Sequence, residues 1–243
     1  MKYLFETCSL NYEDFASGRV LYNAQGTTSF PVRLSSEIVQ RCFSILDTKG
    51  IKGPYSIYDP CCGGAYMLTV IGLMHSHVIN KIHASDINPE VLRTAERNLS
   101  LLTAGGLARR KEELTRLTAL YQKKSHEEAL ASLEKFNKQS ACSALKEIVI
   151  AQGDITTAEK RHIHDPFNIV MTDLPYGDKV NWITNSSNPV SDFFDQISKW
   201  MDTEKSIAAI IANKDQKLKH EKFKRLQYFK VGKRQIGIFE LIS

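Results

Sequence analysis

The spacing of hydrophobic positions along this chain changes repeatedly, and the changes alternate strand with helix. Tyr55–Asp59 is a short apolar run that stops at Cys61-Cys62-Gly63-Gly64, which predicts a buried strand ending in a tight loop. An apolar helix is predicted over about Tyr66–His77, and Lys81–Ser85 reads as the next strand, ending at Asp86. Asn88-Pro89 opens another helix, with Asn88 as N-cap and Pro89 in the first turn. Val91, Leu92, Ala95, Leu99 and Leu102 share one face of it, and Gly105-Gly106 breaks the pattern. Leu107 to about Ser140 is polar and helix-prone, with Leu114, Leu117, Leu120 and Tyr121 as its expected inner face. Strands over Glu147–Ala151, Phe167–Thr172 and Ser206–Ala212 follow, with a helix over Pro189–Trp200. Arg225 to Ile242 predicts two antiparallel strands joined near Gly232. Residues 1–50 form an extension ahead of the first convincing strand.

This alternation predicts an α/β fold with a mostly parallel sheet. The expected organisation is one domain over residues 1–243, with a helical insertion at about 104–145. Composition agrees with a sizeable core: 42% of the 243 residues are hydrophobic and 24% charged. Five cysteines, an odd number without zinc-ligand spacing, read as reduced thiols in the cytoplasm and imply no metal. The first ten residues carry Glu6 and lack a long apolar run, so no signal peptide is expected. The apolar stretch Met67–Met74 is too short for a membrane span, which needs roughly 20 residues.

Four predicted strand ends carry suggestive side chains, and open α/β sheets bind ligands at the carboxyl ends of their strands. The first is Asp59-Pro60-Cys61-Cys62-Gly63-Gly64-Ala65, whose small residues would let a ligand approach the backbone. The following helix would offer amides to a carboxylate, and Asp59 would meet an ammonium group. The second is Asp86, 23 residues beyond Gly63, suited to accept from both hydroxyls of a ribose, with Ile87 beside it. The third is Asp154, followed by Ile155, an acceptor for an adenine amino group. Each of these also has a plainer reading, as a tight turn or a helix-start acid. The fourth, Asp173-Leu174-Pro175-Tyr176, resembles the (Asn/Asp)-Pro-Pro-Tyr motif of amino-group methyltransferases. There the Asp173 carboxylate and Leu174 carbonyl would accept N–H bonds from a nitrogen nucleophile, aim its lone pair and offset developing positive charge. Pro175 would fix the backbone and Tyr176 would stack on a base. S-Adenosylmethionine is the cofactor this set implies.

The net charge of +5 is unevenly spread. Lys214 to Arg234 holds nine Lys or Arg against two acids, which suits phosphate contacts, with Lys222, Lys224, Arg225, Lys233 and Arg234 as candidates. A solvated helix face would give the same pattern. In the insertion, Arg109, Arg110, Lys111, Arg116, Lys123 and Lys124 face Glu112, Glu113, Glu127 and Glu128, as in a salt-bridged surface helix.

Several stretches together resemble the AviRa family: Gly18-Arg19-Val20-Leu21, Phe30-Pro31-Val32-Arg33-Leu34, Tyr58-Asp59-Pro60-Cys61-Cys62-Gly63, Leu68-Thr69-Val70, Ala84-Ser85-Asp86 and Thr172-Asp173-Leu174-Pro175-Tyr176-Gly177. The family comprises ribosomal RNA guanine methyltransferases of orthosomycin resistance. The resemblance implies a Rossmann-like class I methyltransferase sheet with an antiparallel C-terminal hairpin. It also implies a guanosine of 23S ribosomal RNA, alone or in the large subunit, as substrate for a monomeric enzyme. It places the segment containing Pro31 and Arg33 beside the cofactor. One departure concerns the first loop, where the family pattern Gly-Ser-Gly-Tyr is here Gly63-Gly64-Ala65-Tyr66. Cofactor binding is expected to survive unless that position needs a positive φ angle.

Other readings stay open on sequence alone. Protein glutamine or asparagine methyltransferases face the same nucleophile problem and use a related motif, though they favour Asn where Asp173 stands. A non-catalytic RNA-binding module on the same fold is a further alternative. A nicotinamide dehydrogenase lacks support, because no G-x-G-x-x-G pattern is present.

Overall fold

The computed structural model describes residues 2–23, 29–140, 142–157, 165–175, 182 and 186–242. Seven strands form one sheet: β1 (Tyr55–Asp59), β2 (Ile79–Asp86), β3 (Glu147–Gln152), β4 (Ile169–Asp173), β5 (Ile207–Asn213), β6 (Phe223–Val231) and β7 (Arg234–Leu241). Their spatial order is β3-β2-β1-β4-β5-β7-β6. β1 to β5 run parallel, β7 runs against them, and β6, antiparallel to β7, returns to the common direction. Strand order therefore switches between β1 and β4, the position at which open α/β sheets bind ligands beyond the carboxyl ends of their strands. The central strands are buried on both faces, which explains why they read as apolar runs and not as alternations.

Among the described residues six α-helices accompany the sheet: α1 (Val32–Thr48), α2 (Tyr66–Met74), α3 (Pro89–Ser100), α4 (Ala104–Tyr121), α5 (Lys124–Ser140) and α6 (Pro189–Ile197). Asn88 caps α3 by accepting from the Glu90 amide, and Pro89 takes the first position, as expected. The expected helices over Tyr66–His77 and Pro189–Trp200 each finish as a short 3-10 turn.

The structure departs from the sequence reading in three places. The extension contains α1, which buries Leu34, Ile38, Val39, Cys42 and Leu46. Gly105 and Gly106 do not separate elements by flexibility; they form the first turn of α4, capped by the Thr103 hydroxyl. A Cβ on Gly106 would stand 1.9 Å from the Ser100 carbonyl oxygen, so glycine is needed for close helix approach. The expected inner face of α4 is also only partly right. Leu114 is buried, but Leu120 and Tyr121 are 66% and 59% exposed.

Phe15, Leu107, Leu133 and Phe136 share the core that holds α1, α2 and one face of the sheet. The N-terminal segment is clamped to α5 by Arg19–Glu128, Lys135–Asp14 and a Ser132–Asp14 hydrogen bond. A second core, around Tyr58, Phe167, Phe193, Phe194 and Trp200, packs under the opposite face. Among the described residues no helix is long and apolar enough to cross a membrane.

Candidate active site

The carboxyl ends of β1, β2, β3 and β4 carry Asp59, Asp86, Asp154 and Asp173 in or just beyond their last residues. Asp59 is only 2% exposed and accepts the Cys61 amide at 3.0 Å. Burial pushes its pKa up to about 7, and the neighbouring Asp86 and Asp173 push in the same direction. Asp86 ties two loops together, accepting Gly63 N–H at 2.8 Å and Asn88 N–H at 3.0 Å. Burial raises its pKa as well, against those amide bonds.

The loop after β1 is shaped for close approach. Gly63 has φ +52°, and an added Cβ would find no heavy atom within 4 Å. Asn98 of α3 holds the loop by donating to the Gly64 carbonyl at 2.8 Å. Ala65 has φ +54°, so the position does adopt the left-handed region although it carries a methyl group. It is the N-cap of α2 and supplies no side-chain cap to the first-turn amides. Cys61 and Cys62 lie in the same loop, and the Cys62 amide donates to the Ser85 carbonyl at 2.9 Å. Asp154 folds into its own turn, where Oδ1 accepts from the Thr156 amide and hydroxyl at 2.8 and 2.7 Å. Gly153 N–H reaches the Asp86 carbonyl at 3.1 Å, which joins the β2 and β3 ends. Gln152 donates to the Ile87 carbonyl at 3.2 Å, and Ile155 is buried in the second core.

The loop after β4 is held from the β5 side. The Leu174 amide donates to the Ile211 carbonyl at 2.9 Å. Gln216 donates to the Pro175 carbonyl at 3.2 Å and accepts from the Asn213 amide at 3.0 Å. Gln235 of β7 donates to the Asn213 and Gln216 carbonyls, the first at 2.7 Å. These clamps fix where Asp173 stands. Tyr176 lies outside the described residues.

The chain matches the family model described as rRNA methyltransferase AviRa over residues 1–234. It belongs to the AviRa family. One relative, a 23S rRNA (guanine(2535)-N(1))-methyltransferase from Streptomyces viridochromogenes, is 32% identical over 242 residues, covering 93% of this chain and 90% of the relative. Two solved structures of rRNA methyltransferase AviRa from the same organism superpose with TM-scores of 0.86 and 0.84 at 29% identity. They cover 99% and 98% of this chain, and this chain covers 96% of each. An enzyme of the AviRa family is a methyltransferase and needs a methyl donor of the S-adenosylmethionine type.

Within this AviRa-family fold, three sequence expectations are relocated. Arg33 is engaged by the N-terminal segment. It donates to the Glu6 carbonyl at 2.7 and 3.0 Å and to the Thr7 carbonyl at 3.2 Å, and it lies 4.0 Å from the Tyr3 ring centre. Pro31 is the N-cap of α1, and its carbonyl accepts the Leu34 and Ser35 amides. What this segment brings toward the β4 end is Phe30, whose ring centre is 5.2 Å from the Arg234 guanidinium.

Arg234 is the second relocation. β7 runs antiparallel, so its first residue pairs with the last of β5, Asn213 with Arg234. That register carries Arg234 to the carboxyl ends of the parallel strands, where its Nε lies 3.8 Å from Asp173 Oδ2. A sequence reading grouped it with surface lysines because no local pattern reports strand register. Gln216 was missed for the same reason.

The remaining basic candidates sit on or beside the β6–β7 edge hairpin and not on a helix face. Lys222 pairs with Asp195 at 2.5 Å and Lys224 with Glu240 at 3.0 Å, so part of the charge is neutralised. The Arg225 guanidinium lies 4.7 Å from the Tyr228 ring centre. Lys233 is in the turn, where its carbonyl accepts the Lys214 amide. Charged residues on an edge strand also discourage strand pairing between molecules, so their presence alone does not require RNA.

Proposed function

We propose that this protein transfers the methyl group of S-adenosylmethionine to N1 of a guanosine in 23S ribosomal RNA, acting in the cytoplasm as a single-domain enzyme. The observation that carries this reading is the arrangement across the β1–β4 switch: an open glycine loop and two buried-side carboxylates on one side, Asp173 on the other.

The residues fit the methyl donor. Asp59 is a buried carboxylate whose pKa is raised by burial and by Asp86 and Asp173, and an amino-acid ammonium group beside it would favour its charged form. The uncapped first turn of α2 suits the carboxylate of the same group. Asp86 holds the loop through one lone pair on each oxygen, and a carboxylate oxygen accepts more than one bond, so a ribose diol can join. Gly63 leaves room at the backbone; Cys61, Cys62, Gly64 and Ile87 are the residues expected beside the donor, and Asp154 with Ile155 is expected to meet its adenine edge. When bound, the donor supplies an electrophilic methyl group on a sulfonium. Asp173 accepts the N–H of the target base and orients its nitrogen, with Leu174 and Pro175 held by the Ile211 and Gln216 clamps. Tyr176 follows as the stacking partner for the base. Methylation at such a guanosine would protect ribosomes against orthosomycins.

The test is methyl transfer from labelled donor to 23S RNA and to large subunits, with the product mapped by mass spectrometry. The expected result is 1-methylguanosine at one position. Label in a protein glutamine, or none in RNA, would overturn the reading.

A further inference from the structure

The function above gives no role to Arg234, yet the fold brings its side chain to the reacting end of the sheet. Its Nε is buried and makes no hydrogen bond among the described residues. The ion pair to Asp173 Oδ2, at 3.8 Å, is longer than a hydrogen bond. The side chain as a whole is 26% exposed and the Asp173 side chain 28%, so both are partly open to solvent. Phe30 lies against the guanidinium and limits where it can go. Its acidic neighbour is Asp173 of β4, and Lys233 precedes it in sequence. Arg234 thus brings a positive charge beside Asp173.

We infer that Arg234 is a second catalytic and specificity-determining residue, which donates to O6 of the target guanine while Asp173 accepts N1–H. The inference rests on the proposed reaction. The Watson–Crick edge of guanine presents an acceptor, O6, beside a donor, N1–H. An arginine donor beside a carboxylate acceptor matches that order. Adenine presents the reverse, an amino donor beside a bare N1, and would meet a donor with a donor and an acceptor with an acceptor.

The same geometry solves the chemical difficulty of the nucleophile. N1 of guanine carries a hydrogen, and its lone pair is delocalised into the ring. The proton passes from N1 to the Asp173 carboxylate, and the electron pair of the broken N–H bond remains on the base, shared between N1 and O6. That pair forms the new bond from N1 to the methyl carbon. The carbon–sulfur bond breaks with its pair staying on sulfur, which becomes a neutral thioether. Asp173 later releases the proton to solvent. Negative charge develops at O6 during this sequence, and a donor already fixed there stabilises it with little reorganisation.

Single-turnover methyl transfer to 23S RNA by wild type, Arg234→Gln and Arg234→Lys tests this, with donor affinity and melting temperature measured in parallel. Arg234→Gln should lower the rate by about 10²–10³-fold, as for loss of one preorganised donor. Donor affinity should stay within about threefold. Its rate should keep climbing toward alkaline pH, where the base loses its N1 proton unaided, while the wild-type rate levels off earlier. Arg234→Lys keeps the charge without the planar fork and should recover part of the loss. A wild-type rate and pH profile in Arg234→Gln would overturn the inference, as would a loss explained by weaker donor binding or unfolding in both variants. A wild-type protein that methylates no RNA guanosine would overturn the proposed function itself, a result read before any variant is compared.

Discussion

Two carboxylates in this chain are shut away from water, and they are treated in opposite ways. Glu37 of α1 is 0% exposed and Asp59 of β1 is 2% exposed. Burial alone would raise the pKa of either. Glu37 nevertheless ends below its ordinary value, because it accepts the amides of Leu4, Phe5 and Glu6 at 2.8–2.9 Å and the Arg41 guanidinium at 2.8 Å. Asp59 accepts the Cys61 amide, faces Asp86 and Asp173, and ends at about 7. The first carboxylate is completed by the protein and pins the N-terminal segment onto α1. The second lies deeper in the protein and receives fewer bonds, so burial prevails there. Depth and hydrogen bonding together separate the two acids.

Glu37→Gln attacks the completed side of that comparison and should have the largest effect. It leaves Arg41, 8% exposed, without its carboxylate partner and turns one of two oxygens, each accepting two N–H bonds, into a donor. Removing one partner of a buried charge pair typically costs about 3–5 kcal/mol. Denaturant unfolding should show the loss, with donor affinity per folded molecule unchanged. Intact stability would mean that the N-terminal segment can let go without consequence.

Asp173→Ala attacks the reacting end. It should cut methyl transfer by about 10²–10³-fold, or about 2.7–4 kcal/mol, with little change in donor affinity. Asp173→Asn keeps one acceptor oxygen and should retain more activity than the alanine variant. Transfer at the wild-type rate by Asp173→Ala, measured in single turnover, would remove this residue from the reaction.

Asp59→Asn sharpens the comparison through pH. The folded pKa of about 7 lies above the unfolded value of about 3.9. Between those values the folded state holds the proton and the unfolded state does not, so this group's contribution makes stability fall as pH rises from about 4 to 7. The Asn variant should therefore melt higher than wild type at pH 8 and close to it at pH 4. It should also bind the methyl donor more weakly, by about 1.5–3 kcal/mol, the range for a hydrogen bond to a charged group. In the wild type, donor affinity should drop as pH falls below 7. A flat affinity profile between pH 6 and 8, by calorimetry, would show that Asp59 does not face the ammonium group.

The acid at each strand end was legible in the sequence because a buried parallel strand is a short apolar run with an abrupt polar end. Asp59, Asp86, Asp154 and Asp173 could be placed that way, and so could the C-terminal hairpin through Gly232. What escaped depends on contacts between distant segments. α1 carries Leu34, Ile38, Cys42 and Leu46 at four-residue spacing, a periodic signal that was available and not used. Glu37 gave no signal, since its partners lie about thirty residues earlier as backbone amides. Gly106 looked like punctuation because the Ser100 carbonyl it must clear belongs to another helix. Arg234 looked like one basic residue among nine until the antiparallel register of β7 set it opposite Asn213.

Ala65 gives the smallest expected effect and tests whether the ligand side of the comparison is strained as well as underpaired. It sits at φ +54° and is 1% exposed. A left-handed conformation costs an L-residue roughly 1–2 kcal/mol, which glycine avoids. Against that, glycine gains unfolded-state freedom, roughly 0.4–1 kcal/mol, and forfeits a buried methyl group, about 0.8 kcal/mol. These terms nearly cancel, so Ala65→Gly should change stability by less than about 1 kcal/mol. Ala65→Val has no such cancellation. It adds a β-branched side chain in a region such residues avoid, inside a covered site, and overpacking alone typically costs about 1–3 kcal/mol. Thermal unfolding of the pair separates strain from packing. If Ala65→Gly destabilises by well over 1 kcal/mol, the methyl contact outweighs the backbone strain, and alanine here is a stabilising substitution in its own right.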